Sequence, residues 1–421
     1  MRASRSGDGV APIASVRSSL APFVVVLGGV CAALHVGKLP PAIVTLQQSF
    51  DIGLVHAGFL VSLVQLAGML GGVALGAFVD GFGLKRSMLL GLAVLGSASL
   101  LGGAVESVGW LLALRAMEGL GFLLVVLPAP GLLRRLVAPE RLSLFLGVWG
   151  TYMPFGAALA LLIGPFWMET LGWRTWWWAL GASAFAAALA LARAVPDRHA
   201  AAPDDAVGAT ARPPAASPWI GRLRRTLGTP GPWLVAMCFA AYSSQWLAVI
   251  GFLPTIYLQA GITGVTTGVL TSLAAAANIL GNLSAARLLH RRTPPTRLLV
   301  LGFVAMGVCA TAAFAGEVGH GLPTAARYVA VLLFSMLGGI IPATLFSLAV
   351  RLAPSEQTVS STVGWVQQWS AFGQFAGPPL VAWVASHAGG WHWTWTVTVV
   401  LSAAGLVLSR AIARKLGSMA A

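Results

Sequence analysis

Three charged side chains, those of Lys38, Arg115 and Glu118, fall inside long apolar runs of the sequence. A charge at the centre of a membrane span costs roughly 2.5–3.5 kcal/mol on insertion scales, so each is a candidate functional residue. The guanidinium of arginine binds an anion through two parallel N–H donors, and the ammonium of lysine binds it as a compact positive charge. Two alternatives remain open. Glu118 lies one helical turn after Arg115, so these two can form a self-neutralising pair with a role in proton coupling. Lys38 can also extend towards the outer headgroups.

His35 precedes Lys38 by three residues and therefore lies on the same helix face. A histidine beside a cation can act as a proton-responsive group. A histidine that only packs between helices is the other interpretation. We include His35 in the candidate binding set and, together with Glu118, in the candidate coupling set.

Neutral polar and aromatic side chains near the middle of later apolar runs form a second candidate set. The members are Tyr242 and Gln245 in the seventh run, Gln367 and Gln368 in the eleventh, and Tyr152 in the fifth. They are predicted to offer hydrogen bonds and aromatic walls to a bound solute. Hydrogen bonding between neighbouring helices is the competing explanation.

The elements that carry these residues are apolar helices. The chain has 421 residues, of which 57% are hydrophobic and 9% charged, whereas soluble domains carry about 25% charged residues. Twelve runs reach the length of about 20 apolar residues that a membrane span needs. A polar stretch rich in proline and alanine follows the sixth run. We predict an N-terminal six-helix bundle over residues 1–195, a cytoplasmic linker over 196–230 and a C-terminal six-helix bundle over 231–421.

The 26 Lys and Arg residues fall almost entirely on the face that holds both termini, the linker and the connections from even to odd spans. This asymmetry places both termini in the cytoplasm. The net charge of +14 thus reflects topology, and no basic face with interleaved aromatics predicts a nucleic-acid partner. Tryptophans 173, 176, 177 and 178 are expected in an aromatic belt at the outer start of span six.

The two halves carry similar patterns in the same order. The stretch 58–63 resembles 268–273 at the start of spans two and eight, and Leu39-Pro40 resembles Leu253-Pro254 in spans one and seven. Direct repeats with six spans each are related by an axis along the membrane normal. A solute site is then expected between the halves, near the middle of the membrane.

The connection after span two reads GAFVDGFGLKR over residues 76–86 and resembles the G-x-x-x-D-R-x-G-R-R pattern of the major facilitator superfamily. The matching residues are Gly76, Asp80, Gly83, Lys85 and Arg86, whereas Gly81 and Leu84 depart from the pattern. Residues 115–119 in span four are similar to the family's R-x-x-x-G motif, and the region 38–42 is most similar to the cyanate-permease-like subgroup. The resemblance covers essentially the whole chain. It implies an all-α integral membrane fold of 12 transmembrane helices in two six-helix bundles, with both termini cytoplasmic.

The resemblance also implies a function. Members are transporters that work by alternating access, not enzymes, and the motif after span two is thought to latch the halves. Spans one and four line the central cavity of this family, and Lys38 and Arg115 each lie about 10–12 Å below the outer boundary. The two cations would therefore clamp a small organic or inorganic anion, which the protein would carry either with proton coupling, such as symport, or as a uniporter.

The expected partners are the solute, the lipid bilayer of a bacterial inner membrane and a proton, with a monomeric protein and neither cofactor nor metal. One rival is an efflux antiporter for drugs or metabolites, for which Glu118 is the candidate acid. The rival of another class is a membrane-embedded sensor or enzyme on the same scaffold.

Overall fold

Helices, with short 3-10 turns between some of them, make up the regular structure of the residues described by the computed structural model, which are 13–196, 219–316 and 322–420. Helices satisfy every backbone hydrogen bond within one segment, which is what a chain surrounded by hydrocarbon requires. The expected all-α membrane fold is confirmed. The predicted linker falls mostly on residues 197–218, which lie outside the described residues, and its last part forms a short helix.

The helices of the N-terminal half are α1 Ile13–Gly37, α2 Ile43–Phe50, α3 Leu54–Ser62, α4 Leu66–Phe82, α5 Leu84–Gly102, α6 Val108–Val126, α7 Ala129–Leu136, α8 Pro139–Trp149 and α9 Tyr152–Ala194. Those of the C-terminal half are α10 Trp219–Leu227, α11 Pro230–Gln259, α12 Gly264–His290, α13 Pro295–Phe314, α14 Thr324–Gly338, α15 Ile340–Arg351, α16 Val359–His387 and α17 Thr394–Ala420.

Ten helical segments of the described chain are long and apolar enough to cross a membrane. One of them, Pro139–Ala194, breaks at Gly172, where φ is 77°, so it provides spans five and six. Helix α16, with 29 residues, is also long enough to span but carries more polar side chains, and it provides span eleven. With these two additions the count reaches the twelve spans that the sequence predicts.

Several spans are built from two helices in series. Span one is α1 with α2, span two is α3 with α4, span four is α6 with α7, and span ten is α14 with α15. In span one the break follows from sequence, because Pro40 and Pro41 have no backbone N–H to continue the hydrogen bonds of α1. The carbonyl groups at the end of α1 are therefore free to accept hydrogen bonds from side chains.

The two halves meet along spans two and eleven and along spans five and eight. A Cβ atom at Gly58 would lie 2.9 Å from the Cα of Pro379, and one at Gly268 would lie 2.9 Å from the carbonyl oxygen of Leu162. Glycine is needed at both positions because the backbones approach too closely for a side chain. Both contacts lie towards the outer ends of their spans, so the interface is closed on the outer side.

Candidate functional site

A cluster of ionisable side chains lies inside the N-terminal bundle where spans one and four meet. It contains His35 and Lys38 from the end of span one's first helix and Arg115 and Glu118 from α6. Their relative exposures are 0%, 0%, 2% and 1% respectively. Four ionisable groups so completely removed from solvent must compensate one another, since an unpaired charge there would be strongly unfavourable.

Glu118 is the common partner of both cations. Its Oε1 atom accepts a hydrogen bond from Lys38 Nζ, and its Oε2 atom accepts one from Arg115 Nη1 at 2.6 Å. The i,i+3 pair considered from the sequence is therefore present, but Lys38 joins it from 80 residues away in the chain. From the sequence, Lys38 and Arg115 were expected to present cations to a solute, whereas in this structure both already bind the Glu118 carboxylate.

Lys38 points towards spans three and six. Its ammonium donates to Ser99 Oγ at 2.9 Å and lies 4.6 Å from the ring centroid of Trp177. Ser99 donates in turn to the Trp177 carbonyl at 2.8 Å, and Trp176 Nε1 donates to the Lys38 carbonyl at 3.3 Å. The expectation that these two tryptophans lie in an interfacial belt is wrong, because they are 2% and 1% exposed and enclose the lysine.

Arg115 ties three spans together through backbone carbonyl groups. Its Nε donates to Leu60 at 3.0 Å, its Nη1 to His35 at 2.5 Å and its Nη2 to Val36 at 3.4 Å. The Val36 carbonyl is available because Pro40, four residues later, has no N–H. Leu60 lies just before the 3-10 turn of span two, where the regular α-helical bonding changes. The planar guanidinium fork serves such divergent acceptors better than an ammonium group would.

The imidazole of His35 is held by its Nε2 atom, which donates to the Leu180 carbonyl of span six at 3.2 Å. The carbonyl can only accept, so this nitrogen carries the proton. The other nitrogen, Nδ1, has no hydrogen-bond partner among the described residues and lies 3.9 Å from Glu118 Oε1. His35 thus presents a bare nitrogen towards the carboxylate.

The formal charge of the cluster is +1, since Lys38 and Arg115 each carry a positive charge, Glu118 carries one negative charge and His35 is neutral in this tautomer. In a buried ion pair the attraction between the charges roughly offsets the cost of removing both from water, and loss of one partner typically costs about 3–5 kcal/mol. A change of one proton in this cluster would therefore alter the free energy of the contact between spans one and four by a comparable amount.

The candidate residues of span seven bind within the C-terminal bundle. Tyr242 accepts a hydrogen bond at its hydroxyl from Asn278 Nδ2 of span eight at 3.0 Å. Gln245 accepts one at Oε1 from Ser402 Oγ of span twelve at 2.9 Å. Both have interhelical partners, which matches the alternative considered from the sequence. Their role in solute binding stays a prediction.

The remaining predicted binding residues lie in different surroundings. Gln368 bridges the halves, because its Nε2 donates to the Met69 carbonyl at 2.9 Å and its Oε1 accepts from the Val73 N–H at 3.4 Å. Gln367 is exposed, and Tyr152 is half-buried and stacks on Trp149 with ring centroids 4.4 Å apart.

Sequence reasoning missed a second bridge between the halves. Gln65 Nε2 of span two donates to Gln374 Oε1 of span eleven at 3.0 Å, and Gln374 Nε2 donates to Ser370 Oγ at 3.3 Å. Gln65 is 4% exposed. The available signal was an amide side chain in the middle of an apolar run, which seldom occurs without an interhelical partner.

The predicted gating motif connects α4 to α5. Gly83 has φ of 101° at the turn, a conformation that favours glycine, and its N–H donates to the Val79 carbonyl at 3.0 Å. Lys85 donates to the Ala192 carbonyl near the end of span six at 3.2 Å. Gly76 lies in open space and Arg86 is exposed. The Asp80 side chain lies outside the described residues, so the latch stays a prediction.

Comparison with known proteins agrees with the family resemblance seen in the sequence. The family model described as Major Facilitator Superfamily matches residues 25–366. The chain is 33% identical over 153 residues to the puromycin resistance protein pur8 of Streptomyces alboniger, a match that covers 36% of this chain and 29% of that protein. It is 26% identical over 171 residues to the tetracenomycin C resistance and export protein of Streptomyces glaucescens, covering 40% and 32%. These matches span less than a third of each relative's length.

The fold is shared with a solved structure of a bacterial homolog to the human lysosomal transporter Spinster, in an inward-facing and unoccupied conformation. The TM-score is 0.75 at 15% sequence identity, and the alignment covers 96% of this chain and 98% of that chain. At this identity the likeness concerns the fold alone.

Proposed function

Since the chain belongs to the major facilitator superfamily, whose members carry small-molecule solutes across membranes, we propose that it is a secondary transporter driven by a proton that Glu118 binds and releases. The solute moves by alternating access, and the membrane concerned is the cytoplasmic membrane. The observation that carries the proposal is the sealed cluster in which two cations share this single carboxylate.

Protonation of Glu118 is mechanically linked to the helices that hold its partners. A protonated carboxyl no longer compensates Lys38 and Arg115, and two buried cations cannot remain together without an anion or water. Proton uptake must therefore be accompanied by separation or hydration of the contact between spans one and four. In this way a local change in charge biases the packing of two helices, which is the general basis of such switches.

His35 is placed to take part in the proton transfer. Its Nδ1 atom lies 3.9 Å from Glu118 Oε1 and is free to accept a proton. A proton on Nδ1 would face the carboxylate, so histidine and glutamate can hold it alternately. Arg115 keeps its charge throughout, because the guanidinium is not deprotonated in proteins.

The charge cluster indicates the class of solute less directly than it indicates the site of the coupling proton. The cluster has one more cation than anions, so an anionic solute would supply the missing negative charge, in line with the expectation from the sequence. However, the polar contacts of Lys38 and Arg115 all lie within the N-terminal half, and neither side chain is exposed. An anion could bind them only after Glu118 had been protonated or had turned away, which makes proton and anion symport the form of transport consistent with this site.

Efflux is the second candidate function. The matches to the puromycin resistance protein and to the tetracenomycin C resistance and export protein favour it. In an exporter, the proton on Glu118 would exchange with an outgoing compound, and the two cations would serve only to hold the carboxylate. The direction of coupling thus separates the candidates, whereas the role of Glu118 is common to both.

The test uses the full chain in proteoliposomes that contain a pH-sensitive dye. Solutes are added one at a time: small carboxylates, inorganic anions, puromycin and tetracenomycin C. Proton movement in the same direction as the solute indicates symport, and proton movement in the opposite direction indicates exchange.

Glu118→Gln is expected to abolish proton-coupled movement while solute exchange without a pH gradient continues. Glu140→Gln, the same change at an exposed glutamate at the start of α8, is the matched control and should leave coupling intact. Unchanged proton coupling in Glu118→Gln would refute the proposal.

A further inference from the structure

Helix α10, Trp219–Leu227, is the short helix in the last part of the predicted linker, just before span seven. Its sequence, WIGRLRRTL, contains three arginines and no acidic residue. It takes no part in the charge cluster or in the contacts between the halves. A basic helix next to a membrane span requires an explanation beyond topology, because topology needs the charges but not their arrangement on a helix.

The arrangement is amphipathic. At 100° per residue, Ile220, Leu223 and Leu227 share one face, Arg222 and Arg225 lie on the opposite side, and Arg224 borders the apolar face beside Ile220. Ile220 is 61% exposed, whereas Leu223 and Leu227 are partly buried, so the protein covers only part of the apolar face. A helix with a partly exposed apolar stripe and a basic opposite face is typical of segments that lie in the membrane interface.

Two hydrogen bonds fix α10 to the cytoplasmic ends of spans seven and eleven. Thr226, which is fully buried, shares a hydrogen bond between its hydroxyl and that of Ser361 at 2.7 Å. The Leu227 carbonyl accepts from Trp233 Nε1 at 2.9 Å. The helix is therefore a fixed part of the structure at the level of the inner headgroups.

An aromatic cluster continues from this helix into the membrane. Trp233 packs on Trp365 and on Trp369 with ring centroids 4.8 and 5.7 Å apart, and Trp369 packs on Phe372 at 5.3 Å. Phe372 is 44% exposed, so the cluster reaches the protein surface. Further along α16, Leu380 lines an open cleft with residues of span twelve.

We propose that α10 and this aromatic cluster form a binding site for an anionic phospholipid of the inner leaflet. The phosphate group lies against Arg224 and Arg225, which are both exposed. The acyl chain lies along Trp369 and Phe372. An anionic headgroup fits because α10 carries three arginines and no acidic residue of its own, and an acyl chain fits because the neighbouring surface is aromatic and apolar.

The test measures lipid retained by the purified full chain by native mass spectrometry, with equal amounts of phosphatidylglycerol and phosphatidylcholine. Each arginine near a membrane surface contributes about 1 kcal/mol to the binding of anionic lipid, so the double variant Arg224→Gln/Arg225→Gln should bind phosphatidylglycerol up to roughly 25-fold more weakly. Arg224→Lys/Arg225→Lys keeps the charge and should restore most of the binding, which separates loss of charge from misfolding.

The matched control is Arg291→Gln/Arg292→Gln, a pair of exposed arginines at the cytoplasmic end of span eight. This control should keep the preference for phosphatidylglycerol. In a separate competition with the wild-type protein, added glycerol phosphate should not displace the lipid, because the site also binds the acyl chain. An equal loss in the control pair would show that the charge of the whole surface is responsible and would overturn the site. Full retention of phosphatidylglycerol by Arg224→Gln/Arg225→Gln would overturn it as well.

Discussion

The charge balance of the buried cluster predicts that Lys38→Met destabilises the wild-type protein but stabilises the Glu118→Gln variant. Glu118→Gln leaves Lys38 and Arg115 without an anion and raises the formal charge from +1 to +2. Breaking a buried ion pair in this way costs about 3–5 kcal/mol. Lys38→Met instead leaves the pair of Arg115 and Glu118 intact but removes the donor to Glu118 Oε1 and to Ser99 Oγ. Its expected cost is about 1–3 kcal/mol for each of these buried acceptors that stays unsatisfied.

In the Glu118→Gln background the lysine is itself an uncompensated cation. Lys38→Met should then stabilise the protein, although the same change destabilises the wild type. The assay is thermal unfolding of the purified protein in detergent for the wild type, both single variants and the double variant. Glu140→Gln, at an exposed position, should stay within about 0.5 kcal/mol of the wild type. If Lys38→Met destabilised both backgrounds equally, the reasoning that Glu118 compensates Lys38 would be refuted.

Three further predictions concern the surroundings of this cluster and the contact between the halves. Arg115→Lys keeps the charge but cannot reach the separate carbonyl acceptors, so it should lower stability by about 1–3 kcal/mol for each acceptor left unsatisfied, measured in the same unfolding assay. Trp177→Leu and Trp177→Phe both shrink a fully buried side chain, but only leucine also removes the ring beside Lys38, so it should cost up to about 2 kcal/mol more than phenylalanine; equal losses would contradict a cation–π contact. Gln65→Leu and Gln374→Leu should show a coupling energy of about 0.6 kcal/mol in a double-mutant cycle, and strictly additive effects would show that their hydrogen bond contributes nothing.

Much of the architecture was predictable because hydrocarbon imposes strong rules on sequence. The twelve spans followed from apolar length, and the break between spans five and six shows in the structure as a positive φ at Gly172. Arg115 and Glu118 could be paired from sequence alone, since a spacing of three residues on a helix fixes their relative position. For two residues on one helix, their spacing in the sequence is sufficient to predict that they pair.

The partner of Lys38 could not be predicted in the same way. Its contact with Glu118 depends on the rotation of span one against span four, and helices that are apolar all round give no periodic signal for that rotation. The same limit explains the tryptophans of span six: Trp176 and Trp177 were expected in a belt, but the rotation of the span turns them inward onto Lys38 and its backbone.

The candidate residues of span seven illustrate a related limit. Tyr242 and Gln245 are one helical turn apart, yet one binds span eight and the other binds span twelve. A helix face defined by sequence spacing is wide enough to contact two neighbours. Shared spacing therefore could not show whether these side chains meet a solute or another helix.

Infrared difference spectroscopy of the reconstituted protein tests most directly whether Glu118 carries the coupling proton. Among the carboxyl carbonyl bands that a pH step produces under transport conditions, one component should persist in Glu140→Gln and disappear in Glu118→Gln. A carboxyl spectrum that is identical in the wild type and in Glu118→Gln would contradict the assignment of the proton to this carboxylate.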